Sequence, residues 1–158
     1  MRAALLLIAL ALAPGVARAD FVGRVVKIND GDMLTVLLKK TQVRVRLDGI
    51  DAPERGQAFN ERSRQSLAEL CAGKSAEVHE RGKDRLGRIL GVVTCGTLEV
   101  NAEQVRRGMA WAYRQYVPMG SPLYELEAYA RLRELGLWAE AQPVAPWEWR
   151  ARRARPLK

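Results

Sequence analysis

Three short stretches hold most of the side chains in this chain that could do chemistry. Asp30-Gly31-Asp32 is a turn with two carboxylates, and Val45 to Glu54 gathers Arg46, Asp48, Asp51 and Glu54 around a corner at Pro53. Asp84-Arg85-Leu86-Gly87-Arg88 is a further turn with two arginines. Carboxylates bind hard divalent cations through oxygen. Arginine pairs with phosphate as a bidentate fork and stays charged, and a spare carboxylate can orient or deprotonate a water. Brought together, these groups suit attack of water on a phosphate diester, whose charge repels the nucleophile and whose alkoxide leaves poorly. Pro53 fixes its own φ and pushes Ala52 into an extended conformation, so the Ala52 carbonyl can point the same way as the Asp51 carboxylate. Glu54 follows this rigid corner and can sit near a metal without being a primary ligand. Taken alone, Asp51-Ala52-Pro53-Glu54 also reads as an ordinary solvated turn, and Asp48 has no role beyond the turn.

These groups need elements to position them. Phe21 to Asn29 is rich in β-formers, Asp30-Gly31 turns the chain, and Leu34, Val36 and Leu38 alternate with other residues. After Lys39-Lys40-Thr41, the residues Val43, Val45 and Leu47 alternate with Gln42, Arg44 and Arg46. The period of two predicts a three-strand meander with one buried face and Arg46 on the other. Phe59, Ser63, Leu67, Leu70 and Cys71 recur at helical spacing until Ala72-Gly73. Ser75 to Arg81 and Ile89 to Thr94 read as strands around the Asp84–Arg88 turn. Asn101 followed by Gln104 resembles a capping box opening a short helix that ends near Gly108. Ser121-Pro122 is an N-cap with proline at the first helical position, and Gly136 is the expected C-cap of that last helix. Five short strands with a helix after the third predict an α+β, mainly β fold: a five-stranded Greek-key barrel of the OB type with three helices.

The ends carry different signals. Met1-Arg2, the apolar run Ala3 to Ala13, the break at Pro14-Gly15 and the small-x-small site Ala17-Arg18-Ala19 predict a signal peptide over residues 1–19, removed on export. That run is too short for a permanent transmembrane anchor. The domain then occupies 20–140 and a basic tail rich in Pro, Trp and Arg occupies 141–158, expected to be loosely ordered. The formal net charge of +8 falls to +6 without Arg2 and Arg18, which favours a polyanionic partner. In an oxidising compartment Cys71 and Cys95 have one intramolecular pairing open to them, with buried free thiols as the alternative. Trp111 and Trp138 read as core. Trp147 and Trp149 lie near arginines and suit either stacking on single strands or packing the tail on the domain.

Four ordered segments carry a resemblance: Ile28 to Asp32, Val45 to Glu54, Asp84 to Arg88 and Arg107 to Tyr113, with Gly136-Leu137-Trp138 as a fifth. Their set and spacing are similar to the staphylococcal nuclease (thermonuclease) family. The resemblance implies one calcium ion per chain, bound by Asp32, Asp51 and the Ala52 carbonyl. It implies Glu54 as general base or water-positioning residue, with Arg46 and Arg88 on the scissile phosphate. Arg85, Tyr113 and Tyr116 would contribute to substrate binding. With the expected signal peptide at 1–19, the chain reads as an exported, monomeric enzyme, periplasmic or secreted. Such an enzyme cleaves DNA and RNA, single-stranded or locally open, to products with 3′-phosphate ends. The alternative is a non-catalytic nucleic-acid-binding OB module. Three positions depart from the family: Met33 and Ala52 stand where threonine is usual, and Leu86 where tyrosine is common. The first implies tuning of the metal site. The second is mild, since only the carbonyl of residue 52 is needed, and the third removes a contact to the nucleotide.

Overall fold

A computed structural model describes residues 20–154, so the expected signal peptide at 1–19 lies outside the described residues. β1 (Phe21–Asp30), β2 (Met33–Leu38) and β3 (Thr41–Leu47) form the predicted antiparallel meander. The registers Val25↔Val36 and Leu34↔Val45 align the inward positions. Val25, Leu34, Val36, Val45 and Leu47 are fully buried, while Arg44 and Arg46 fall on the opposite face of β3. After a two-residue strand, β4 (Ile50–Asp51), come α1 (Asn60–Cys71) and the pair β5 (Ser75–Lys83) and β6 (Ile89–Cys95). β5 adds antiparallel to β1, and β6 swings round to pair parallel with β3, from Val45↔Ile89 to Leu47↔Gly91. That last pairing closes five strands into a barrel, which removes the open sheet edges at β3 and β6. β7 (Leu98–Glu99) extends β6, and α2 (Val100–Arg106), β8 (Trp111–Ala112), α3 (Pro122–Leu132), a 3₁₀ turn (Gly136–Ala139) and α4 (Pro146–Ala154) complete the described chain.

α1 lays Leu67, Leu70 and Cys71 into the barrel core beside Val78 and Val93. The Cys71 and Cys95 sulfurs are bonded, joining the end of α1 to the end of β6 across a separation of 24 residues. A loop of that length corresponds to roughly 3 kcal/mol of stabilisation from the restricted unfolded chain. Among the described residues no helix is long and apolar enough to cross a membrane.

The fold departs from the sequence reading at three places. α2 starts at Val100 with no side-chain cap, so Asn101 and Gln104 form no capping box. Both amides are buried and bonded to backbone and side-chain groups of the site loops and α1 instead. Inside a packed interface an amide does more by pairing buried carbonyls than by capping a helix end. α3 begins as predicted, with Ser121 Oγ accepting from Leu123 N–H, but it ends at Leu132 rather than near Gly136. Gly136 serves a backbone contact: the Leu137 N–H donates to the Gly108 carbonyl at 2.9 Å, and a Cβ on Gly136 would lie 2.2 Å from that same oxygen. Finally, the described part of the tail is not loose. Residues 146–154 are helical, giving four α-helices among the described residues rather than three. α4 forms because docking supplies what nine residues of intrinsic propensity lack. Trp147 packs on a second cluster of Trp111, Ala130, Leu137, Trp138 and Ala145.

Candidate active site

The site is built where the first two turns meet. The β1–β2 turn carries Asp30-Gly31-Asp32, and its Gly31 is demanded by proximity, since a Cβ there would lie 1.9 Å from Ser63 Oγ on α1. Asn60, at the start of α1, donates from its amide to both Asp30 Oδ1 and the Pro53 carbonyl, each at 2.7 Å. One side chain thus ties the first acidic turn to the second. The Ala52 N–H donates to Asp32 Oδ2 at 3.1 Å and joins them again. Gln104 donates to the Gly31 carbonyl at 2.7 Å and to the Ser63 carbonyl at 3.1 Å. Asn101 donates to the Asp48 carbonyl at 2.9 Å and to that of Gly91 at 3.0 Å. Both turns are therefore held from below by buried amides of α2.

The second turn has its own partner. β4 pairs with β8 so that Asp51 lies opposite Trp111, and the Tyr113 N–H donates to the Gly49 carbonyl at 2.9 Å. This ribbon explains why the segment ending at Tyr113 belongs with the Asp51 turn. It fixes the acid and the tyrosine relative to each other.

Asp32, Asp51 and Arg46 converge. Arg46 Nη2 lies 3.1 Å from Asp32 Oδ2 and 2.7 Å from Asp51 Oδ1. Asp51 is wholly buried and Asp32 nearly so. Burial, reinforced by the neighbouring Asp51, pushes the Asp32 carboxyl up to about 6, against the pull of Arg46. Arg46 is half-buried, which lowers its pKa, but Asp32 and Asp51 outweigh this and hold it above the ordinary arginine range. Two buried carboxylates on separate turns, one of them short of positive charge, form a donor set that fits a hard divalent cation. Among the described residues no group of three or more His, Cys, Asp or Glu side chains is arranged to hold a metal ion. The expected set needs only two such side chains and the Ala52 carbonyl.

Glu54 sits just beyond the corner, its N–H bonded to Gln57 Oε1 at 2.9 Å. Arg88 is held by Asp84, which accepts from Arg88 Nε at 2.5 Å and, through its other oxygen, from the N–H groups of Leu86 and Arg88. That side chain shapes its own turn, as aspartate often does. Arg88 Nη1 also touches Met33 Sδ at 3.6 Å, and Met33 pairs across the ladder with Arg46. Met33 therefore lies beside both arginines expected on the phosphate. Arg85 and Leu86 are exposed at the tip of their turn. Tyr113 and Tyr116 are brought together, edge to face at 4.7 Å.

Arg150, on α4, is the functional group that the sequence reading missed. Its Nη2 lies 2.9 Å from Asp51 Oδ2 and 3.2 Å from Tyr113 Oη, and its Nη1 lies 3.2 Å from Asp51 Oδ1 and 2.5 Å from Glu54 Oε1. Burial lowers its pKa, but the bonds to Asp51 and Glu54 outweigh this and hold it above the ordinary range. Trp147 stacks parallel on Tyr113 at 5.3 Å between ring centroids. Pro146 at the helix start and Trp147 three positions before Arg150 were the available signals, since that spacing puts tryptophan and arginine on one helical face.

The chain matches the family described as "Staphylococcal nuclease homologue" over residues 44–140. It is 46% identical over 144 residues to "Micrococcal nuclease" of Shigella flexneri, covering 85% of this chain and 83% of that protein. It is 44% identical over 129 residues to an "Uncharacterized endonuclease" of Haemophilus influenzae, covering 80% and 71%. Similarity extends to the "Probable staphylococcal-like nuclease CAN1" of Oryza sativa subsp. japonica at 37% over 115 residues, 73% of this chain and 34% of that one.

Proposed function

This chain belongs to the staphylococcal nuclease family, and from that kinship as a phosphodiester hydrolase we propose that it is an exported, calcium-dependent nuclease. It cleaves DNA and RNA without regard to the sugar, acts on single-stranded or locally open substrate, leaves 3′-phosphate ends and works as a monomer. The observation that carries this reading is the convergence of Asp32 and Asp51 on Arg46, with Glu54 just beyond the same corner. Asp32, Asp51 and the Ala52 carbonyl would hold the cation, which would supply neutralisation of phosphate charge that favours attack by water.

The side chains divide the remaining work. Arg46 pairs with a non-bridging phosphate oxygen and stabilises the extra charge of the five-coordinate transition state. Glu54 orients the attacking water and takes its proton. The bond from phosphorus to the 5′ oxygen breaks, leaving a 3′-phosphate and a 5′ hydroxyl. Arg88, steadied by Asp84, stands to assist that leaving oxygen. Tyr113 and Tyr116 line the nucleotide side, where aromatic faces accept bases of any sequence.

Digestion of plasmid and of RNA by the purified protein, with calcium and with chelator, followed by end-group analysis, tests this function. Calcium-dependent cleavage with 3′-phosphate ends is expected. Cleavage that ignores chelator would remove the metal assignment. Binding without cleavage at any divalent ion would favour the non-catalytic module.

A further inference from the structure

α4 lies outside residues 44–140, yet it reaches into the centre of the site. Its docking is specific. Gln57, whose Oε1 holds the Glu54 N–H, donates from its own amide to the Val144 carbonyl at 2.6 Å. Ala145 and Pro146 are buried, and Trp147 packs against both Tyr113 and Trp111. The helix thereby holds Arg150 over three groups with assigned work: a metal ligand, the water-positioning acid and a pocket tyrosine.

Asp51 is heavily engaged in this arrangement, with three of its roughly four acceptor positions taken. Its Oδ1 receives Arg46 and Arg150, and its Oδ2 receives Arg150. A cation drawn to Asp51 and Asp32 together competes with the guanidinium groups already on them. Arg46 extends from near the end of strand β3, anchored in the barrel sheet, and also holds Asp32. Arg150 comes from a surface helix with its side chain 39% exposed, so it is the group free to move. Charge points to where it goes. The four negative charges of Asp32, Asp51, Glu54 and one phosphodiester match the four positive charges of Arg46, Arg150 and one divalent cation, while Arg88 and Asp84 cancel each other and Asp30 adds one further negative charge beside Asp32. Without Arg150 the loaded site carries an unbalanced negative charge.

We propose that Arg150 is a third phosphate-binding arginine of this site, one that serves as counter-ion to Asp51 and Glu54 until the cation arrives and then transfers to the substrate phosphate. The inference rests on the nuclease reading of the same site. It adds a residue from beyond the matched segment, and it makes cation binding and substrate binding share one side chain.

The test compares the wild-type protein with Arg150→Ala and Arg150→Lys in two binding measurements, with circular dichroism checking that each variant is folded. The first is calorimetric titration with calcium alone. Losing a competing cation tightens calcium binding in Arg150→Ala by roughly five- to tenfold, with Arg150→Lys between. The second is binding of a hydrolysis-resistant, phosphorothioate-linked oligonucleotide in saturating calcium. Arg150→Ala weakens it about tenfold or more, and Arg150→Lys restores part of the loss because it returns charge without the fork. Calcium affinity unchanged or weakened in Arg150→Ala overturns the counter-ion role. Oligonucleotide binding equal to or tighter than wild type overturns the phosphate role, and the tighter result would make Arg150 a plug. If the wild-type protein binds neither calcium nor the oligonucleotide, the nuclease reading itself fails.

Discussion

Asp32→Asn should make the cation-free protein more stable at neutral pH. Asp32 is 5% exposed, and its carboxyl is raised from 3.8 to about 6 by burial and by Asp51. The folded state therefore holds the Asp32 proton more tightly than the unfolded chain does. Below about pH 4 both states are protonated there, and the site costs nothing. Between about pH 4 and 6 the unfolded chain ionises there while the folded protein holds its proton, so stability falls by about 3 kcal/mol in all and levels off above about 6, a ceiling set by a displacement of about two pH units. Asparagine keeps an oxygen to accept the Ala52 N–H, now at 3.1 Å, and removes the charge. The measurement is urea unfolding of both proteins in chelator at pH 4 and pH 7.5. Near-equal stability is expected at pH 4. At pH 7.5 the variant gains about 1–3 kcal/mol, up to about 10 °C in Tm. Calcium reverses the order, because it stabilises only the protein that binds it. A wild-type protein as stable as the variant in chelator at pH 7.5 would refute the claim that Asp32 is a carboxylate short of positive charge.

Three other substitutions probe different parts of the molecule. Glu54→Gln and Arg88→Ala each lower turnover by about two orders of magnitude or more, with unfolding curves close to wild type, since both side chains lie at the rim of the site; near-native activity in either removes its role. Gln104→Ala strips partners from the Gly31 and Ser63 carbonyls and from Ser66 Oγ, costing about 1–3 kcal/mol in urea unfolding and weakening calcium binding by loosening the Asp32 turn. Cys71→Ser with Cys95→Ser lowers stability by roughly 3 kcal/mol under oxidising conditions, while the same comparison in strong reductant shows little difference.

The barrel was legible because alternation in Val43, Val45 and Leu47, and in Leu34 and Val36, is a direct record of one face being dry. Turn chemistry was equally plain: Asp30-Gly31, Asp84 and Ser121-Pro122 each act locally. The acids and arginines could be singled out because they cluster in those turns. Asn101 and Gln104 were not legible. A polar residue at the start of a helix reads as a cap, and only the packed neighbours show that its amide faces inward onto a carbonyl far away in sequence. α4 was hidden for a similar reason. Its arginines, and the Pro- and Ala-rich stretch before it, describe a solvated tail until Trp111 and Tyr113 supply a surface for Trp147. Arg150 acts across a separation of 99 residues from Asp51, which no local pattern encodes.

That separation also orders events in time. A chain made from its N-terminus can pair β1, β2 and β3 early, because their contacts are local. β3 must then wait for β6 to close the barrel, and β4 for β8. Arg150 reaches Asp51 and Glu54 only after nearly the whole described chain has emerged. The candidate site is thus completed only once α4 has been made, and a nascent or truncated chain lacking α4 holds Asp51 and Glu54 without the counter-charge of Arg150.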